Sequence, residues 1–125
     1  MLGEQNVAAT LPVADLDRAR QFYEGTLGLK PDLDMAPEAV LYQSGDSRVL
    51  VYRSEFAGTN QATAATWVAA GGFDDEVAAL RDKGVGFERY DLPGTTLDGD
   101  VHVMGDMRAV WFKDPDGNIL NLSNQ

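Results

Sequence analysis

The sequence predicts an α+β fold built from two tandem βαβββ modules whose curved mixed sheets form a cup. An order of short strands and one amphipathic helix occurs twice along the chain. The stretch from Trp111 to Leu122, WFKDPDGNILNL, is typical of a β-hairpin, because proline presets φ for a turn and glycine supplies a positive φ. Neither module can bury a sheet face well alone, so the two are expected to pair.

The first module begins with an extended run at residues 6–13 and continues into a helix. Asp15 stands where a helix N-cap is expected. Apolar residues then recur at helical spacing on one face, and Gly28 ends the helix. Three short strands are predicted to follow, at 29–35, 39–43 and 48–53.

The same order starts again after a small, polar linker. This linker, residues 55–62, divides a first module (1–54) from a second (63–125) within one domain. The elements predicted for the second module are a strand at 63–70, a helix from Phe73 to Lys83, a strand at 85–90, a long loop at 92–105 with a short strand near 101–104, and the closing hairpin. Within that hairpin, Asp114, Asp116 and Gly117 are interpreted as turn residues.

Composition excludes several classes of function. Twenty acidic against ten basic residues give a net charge of −10, which repels phosphate backbones and anionic lipid, so neither nucleic acid nor membrane is an expected partner. The charge modestly favours cationic ligands, and a surface that only maintains solubility is the alternative. Without cysteine there is no disulfide, thiolate nucleophile or Cys-based metal site. No secretory signal or membrane span is indicated, so a cytoplasmic location is expected.

Aromatic residues are more numerous than the outward surface of a small domain needs. Trp67, Trp111 and Tyr52 are interpreted as lining for a planar or apolar small molecule, with core packing as the alternative. Asn121 stands between two leucines on the returning strand, where it could offer a hydrogen bond to a ligand.

The inserted loop supplies two further candidates. His102 is the only histidine, and its side chain suits a general base or, alternatively, a structural role. Met104 could form a flexible lip over the cup, with plain anchoring of the loop as the alternative. The residues predicted to bind a ligand are therefore Trp67, Trp111, Asn121, Tyr52, His102 and Met104.

Two stretches together carry a family resemblance. DLDRARQFYEGTLGLKP, at 15–31, followed much later by WFKDPDGNILNL, resembles the vicinal oxygen chelate superfamily of glyoxalase I, bleomycin-resistance proteins, fosfomycin-resistance proteins and extradiol dioxygenases. The resemblance implies paired βαβββ modules around a ligand-binding cup and, for so short a chain, a homodimer. It identifies a fold and not a reaction, because the superfamily includes several chemistries and pure binders.

Catalytic members of that superfamily hold a divalent metal with His, Gln or Glu at equivalent points of the two modules. Carried onto this sequence, the points are Ala8, Val51, Ala65 and Asn121. Alanine and valine cannot coordinate a cation, and one amide oxygen is a weak ligand for a site that wants three or four good donors. The resemblance therefore implies a member without the usual metal ligands, and we expect no metal or other cofactor.

Three functions are compatible with these observations. The favoured hypothesis is a metal-free binding protein of the bleomycin-resistance type that sequesters an apolar or cationic small molecule. The alternative is a metal-dependent lyase or isomerase of the glyoxalase type. A third is a domain without any small-molecule function.

Overall fold

The computed structural model describes residues 1–125, and it confirms the α+β fold class with two mixed sheets. The chain divides into two compact units. The first comprises Met1–Asn60 and Asp114–Asn118, and the second comprises Gln61–Lys113 and Ile119–Gln125. None of the helices is long and apolar enough to cross a membrane. The module boundaries at 1–54 and 63–125 and the cup remain predictions.

The first unit is built on a four-stranded sheet in the order β1-β4-β3-β2. A 3₁₀ turn, Leu2–Glu4, precedes it. β1 is parallel to β4, whereas β4–β3 and β3–β2 are antiparallel. The strands are β1 (Ala8–Val13), β2 (Lys30–Met35), β3 (Ala39–Ser44) and β4 (Ser47–Arg53).

The helix of the first unit starts where the sequence predicts. Asp15 caps it, since its carboxylate accepts from the Arg18 backbone N–H at 3.2 Å. α1 (Leu16–Arg20) continues as a π-helical segment, Gln21–Thr26. On the sheet face towards this helix, the Tyr42 ring stacks on Tyr23 with 6.1 Å between centroids. The other buried sheet residues of this face are Leu11, Val13, Val40, Val49 and Val51.

The second unit repeats the arrangement with an extra hairpin. Its sheet has the order β5-β10-β9-β8-β7, and β6 pairs with the other end of β9. The elements are β5 (Thr63–Val68), α2 (Phe73–Asp82), β6 (Phe87–Glu88), β7 (Thr96–Asp98), β8 (Val101–Met104), β9 (Met107–Lys113) and β10 (Ile119–Ser123). The predicted loop at 92–105 thus holds the β7–β8 hairpin. β7 escaped prediction because its three residues are all exposed, so they show no apolar alternation.

Helix α2 lies against one face of the second sheet. The Arg108 guanidinium stands 5.3 Å from the Phe73 ring centroid, and its Nη1 donates to Asp74 at 2.7 Å. Side chains alternate between faces along a strand, so the buried residues Val110 and Phe112 share this face with Arg108. The opposite face, which carries Ala109, Trp111 and Lys113 of β9, is called here the open face of the second sheet.

The closing turn, Asp114–Asn118, is organised by one buried carboxylate. Asp114 accepts from the Tyr23 hydroxyl at 2.6 Å and from the backbone and side-chain nitrogens of Asn118, both at 2.8 Å. The Asp116 carboxylate accepts from Ala14 N–H at 3.0 Å. The interpretation of Asp114, Asp116 and Gly117 as turn residues is confirmed.

Gly117 has φ of +87°, a conformation that costs an L side chain roughly 1–2 kcal/mol. A Cβ at this position would meet no atom within 4 Å, so the cost of Gly117→Ala is conformational only. We expect this change to lower the free energy of unfolding by about 1 kcal/mol in chemical denaturation. Gly86→Ala is the matched control, because Gly86 lacks a positive φ and is equally uncrowded. Equal losses for the two variants would contradict the expectation.

Candidate functional site

The open face of the second sheet carries a cluster of three rings. His102 and Trp111 meet edge to face, with 4.8 Å between centroids. Tyr90 lies 5.7 Å from Trp111 and 6.0 Å from His102. Strand register produces this arrangement, because His102 pairs with Ala109, the neighbour of Trp111 on the same face two residues away. Tyr90, His102 and Trp111 are named here the ring cluster.

His102 is almost fully covered, with 2% of its surface exposed. Its Nε2 accepts a hydrogen bond from the Tyr90 backbone N–H at 2.9 Å. A neutral imidazole that accepts at one nitrogen carries its proton on the other, so Nδ1 is a donor. That Nδ1 is buried and has no hydrogen-bond partner.

Tyr90 supplies a second buried polar atom without a partner. Its hydroxyl oxygen is covered and makes no hydrogen bond, although the side chain as a whole is only half-buried. Burial, and then the negative charge of Glu88, raise the pKa of Tyr90 above the usual tyrosine value, so the hydroxyl keeps its proton. Unsatisfied buried polar groups are uncommon in folded proteins, and the ring cluster contains two of them, which makes it the candidate site.

Trp111 and Asn121 are neighbours on the open face. The two residues pair directly across β9 and β10. The Trp111 indole N–H donates to the Thr63 hydroxyl at 3.1 Å, and the Asn121 amide nitrogen donates to the Val110 carbonyl at 3.0 Å. These two hydrogen bonds fix the orientation of both side chains, and Asn121 is 5% exposed.

A β-bulge brings Thr63 within reach of Trp111. Between Ile119 and Leu120 of β10 the register on β5 shifts from Thr63 to Ala65. This extra residue breaks the simple alternation of faces. Thr63 therefore lies on the same face as Ile119, and Thr66 on the same face as Asn121.

The first sheet also has a face that its helix does not cover. Leu41 pairs with Leu50, and Tyr52 pairs with both Ala39 and Pro12. These side chains are half-buried. By strand alternation the same face also carries Thr10, Gln43 and Arg48, and Tyr52 is its only residue among those predicted to bind a ligand.

A family model settles the evolutionary relationship. The model of the Glyoxalase/Bleomycin resistance protein/Dioxygenase superfamily matches residues 6–122. The chain belongs to this superfamily. Among curated proteins, none matches the chain.

Solved structures show the superfamily's fold at low sequence identity. The bleomycin resistance determinant encoded on transposon Tn5 superposes with a TM-score of 0.73 at 18% identity, over 97% of this chain and 98% of that chain. Lactoylglutathione lyase from Agrobacterium tumefaciens has a TM-score of 0.69 at 16% identity, over 96% of this chain and 92% of that chain. Fosfomycin resistance protein FosX from Mesorhizobium loti has a TM-score of 0.68 at 18% identity, over 98% of this chain and 92% of that chain.

The metal positions that the superfamily implies do not fit a metal here. Val51 is fully buried on the helix-facing side, and Ala65 pairs with buried Leu120 on the corresponding side of the second sheet. Val51 and Ala65 therefore do not lie on the face that corresponds to that of Asn121, because a slip of one residue moves a side chain to the other face.

The residues beside those two positions lie on the sheet faces opposite the helices. They are no better as ligands. They are Leu50 and Tyr52 in β4 and Thr66 in β5. In residues 1–125 no group of three or more His, Cys, Asp or Glu side chains is placed to hold a metal ion. The residues on the faces opposite the helices therefore do not fit a metal ion either.

The structure brings together some of the predicted ligand residues and separates others. The open face carries Trp111, His102 and Asn121. Met104 follows His102 by two residues on the same face, and 49% of its surface is exposed. Trp67 pairs with Leu122, so it lies on the helix-facing side, away from Trp111.

Tyr90 was missed as a site residue. The predicted strand at 85–90 gave no sign of it, because only Phe87–Glu88 pairs with β9. The contact of Tyr90 with His102 depends on β6 and β8 sharing β9 as a neighbour. Spacing along the sequence does not encode that arrangement.

Proposed function

We propose that this protein binds a planar, largely apolar small molecule at the ring cluster and does so without a metal ion. The observation that carries the proposal is the edge-to-face contact of Trp111 with His102, flanked by Tyr90 on the sheet face opposite α2. Ring walls with a few oriented polar groups are typical of small-molecule sites. The acidic surface, with a net charge of −10, draws apolar cations more readily than anions.

The function is sequestration of the bleomycin-resistance type, carried out by a homodimer, and no bond is broken. The bound molecule gains from burial of its apolar surface, at roughly 25 cal/mol per Å², and from ring contacts with Trp111. Asn121 orients the ligand by a hydrogen bond.

Single-tryptophan variants test where a ligand binds. The chain has two tryptophans, which lie on opposite faces of the second sheet. Trp67→Phe leaves Trp111 as the reporter, and Trp111→Phe leaves Trp67. We expect a planar binder to quench or shift the fluorescence of the Trp67→Phe variant and to leave that of the Trp111→Phe variant nearly unchanged. The reverse result would place the ligand elsewhere and contradict the proposal.

Removal of the Trp111 ring is expected to weaken binding strongly. Trp111→Ala should cost roughly 2 kcal/mol of binding free energy, about thirtyfold in Kd, because both buried area and ring contacts are lost. Titration calorimetry measures the change, and Phe56→Ala is the control, since Phe56 is 73% exposed in the other unit. Stoichiometric metal in protein purified without chelator, lost in an Asn121→Ala variant, would favour the metal-dependent lyase instead.

A further inference from the structure

The two unpartnered buried atoms of the ring cluster can both donate a hydrogen bond. His102 Nδ1 is a donor because Nε2 accepts the Tyr90 N–H, and the Tyr90 hydroxyl retains a proton that it can donate. Neither atom has an acceptor within the protein. A molecule that supplies one would remove the cost of burying them.

The charges around the ring cluster decide which acceptor suits it. Glu88 pairs with Trp111 in the strand register, so a carboxylate already lies beside the rings. Lys113 approaches Glu88 at 3.6 Å and is half exposed, which offsets the negative charge only in part. A second anion would be repelled by Glu88 and by the net charge of −10.

A cation is unsuited to the His102 nitrogen. The Nδ1–H of His102 points a positive hydrogen at the ligand and cannot accept one. The acidic surface raises the concentration of cations near the protein, but it supplies no acceptor at His102. A neutral carbonyl oxygen accepts up to two hydrogen bonds and carries no net charge.

The ring of Tyr90 is one of the two rings beside His102, with 6.0 Å between centroids. Tyr90 follows β6, which ends at Glu88, and precedes β7, which begins at Thr96. Its ring can therefore change rotamer without breaking a strand pair, while its backbone N–H stays bonded to His102. Rotamer changes of partly exposed side chains are fast compared with ligand binding.

Building on the proposed function, we propose that the ligand is a neutral planar compound with a ring carbonyl, such as a quinolone, lactam or quinone. Its carbonyl oxygen accepts hydrogen bonds from His102 Nδ1–H and the Tyr90 hydroxyl while its ring packs against Trp111. No covalent step is involved.

Three probes that share one bicyclic ring test this proposal: 1-methyl-4-quinolone, which has a neutral carbonyl, 1-methylquinolinium, which is a cation, and quinoline-4-carboxylate, which is an anion. Calorimetry on the full chain should give the tightest binding for the quinolone, by about tenfold over each of the others. Tyr90→Phe and His102→Phe should each reduce the preference for the quinolone over 1-methylquinolinium. Tyr42→Phe is the matched control, because the Tyr42 hydroxyl donates to Glu24 in the other unit.

Nitrogen NMR gives a readout that a merely structural role would not move. His102 is the only histidine, so ¹⁵N-histidine labelling yields one imidazole. We expect a protonated Nδ1 in the free protein and a shift of that signal with the quinolone alone.

The outcomes separate the two proposals. Equal or tighter binding of the cation or the anion, with the Trp111 signal changing, would overturn the carbonyl proposal and keep a binding site at the ring cluster. An unmoved Nδ1 signal on saturation with the quinolone would likewise overturn it. Failure of all three probes to bind at Trp111 would overturn both proposals.

Discussion

Asp114→Ala is expected to lower the free energy of unfolding by about 3–5 kcal/mol, the largest effect of any polar substitution that the structure suggests. The Asp114 carboxylate accepts four hydrogen bonds, from the Tyr23 hydroxyl at 2.6 Å, Asp116 N at 3.0 Å, and Asn118 N and Nδ2 at 2.8 Å. Tyr23 is 0% and Asn118 2% exposed, so both donors lie away from bulk water when they lose this acceptor. A buried donor left without a partner costs about 1–3 kcal/mol. Denaturant unfolding measures the loss.

Two variants show whether the buried network is the cause. Asp15→Ala removes a carboxylate with one exposed acceptor role, to Arg18 N–H, and should cost about 1 kcal/mol, as a helix N-cap does. Tyr23→Phe should cost about 2 kcal/mol, and the double variant with Asp114→Ala should lose less than the sum, because the two residues share a bond. Losses of equal size at Asp15 and Asp114 would refute the central role of Asp114.

The fold was predictable because each local signal agreed with the repeat. Asp15 combines an N-cap side chain with an apolar helical face beyond it, and the cap forms as expected. Gly117 provides the positive φ that the closing turn needs. Such signals depend only on a few adjacent residues, so they can be identified from a single sequence. The family match over residues 6–122 agrees with them.

The candidate site was predictable only in part, because it depends on strand register. The bulge at Ile119/Leu120 decides that Thr63 and Thr66 both lie on the open face, although three residues separate them. No residue type in the sequence indicates this bulge. A prediction that assumes simple alternation along β5 therefore assigns residues to the wrong faces. The same bulge puts Trp67 on the face opposite Trp111, although both tryptophans were predicted to line one site.

Alkaline pH is expected to destabilise the first unit steeply. Burial, and then the charge of Asp114, raise the pKa of Tyr23, and burial, with the hydrogen bond to Glu24, raises the pKa of Tyr42. In the unfolded chain both would titrate near pH 10. The folded protein therefore holds two protons that the unfolded chain releases, so the stabilisation is complete below about pH 10 and is lost as the pH rises towards the folded pKa values.

The expected loss of stability at alkaline pH is large enough to unfold the protein. Each buried tyrosine removes about 1.4 kcal/mol of stability per pH unit above pH 10, so two remove about 5–6 kcal/mol by pH 12, comparable to the whole stability of a small domain. Circular dichroism and tyrosinate absorbance, followed together, should change in one step for Tyr23 and Tyr42. A Tyr23→Phe/Tyr42→Phe variant should be less stable at neutral pH yet much less sensitive to alkali. Two results would contradict this explanation of the alkaline loss of stability. One is full tyrosinate formation while the fold persists. The other is an unchanged alkaline loss in the double variant, which lacks the hydroxyls that donate to Asp114 and Glu24.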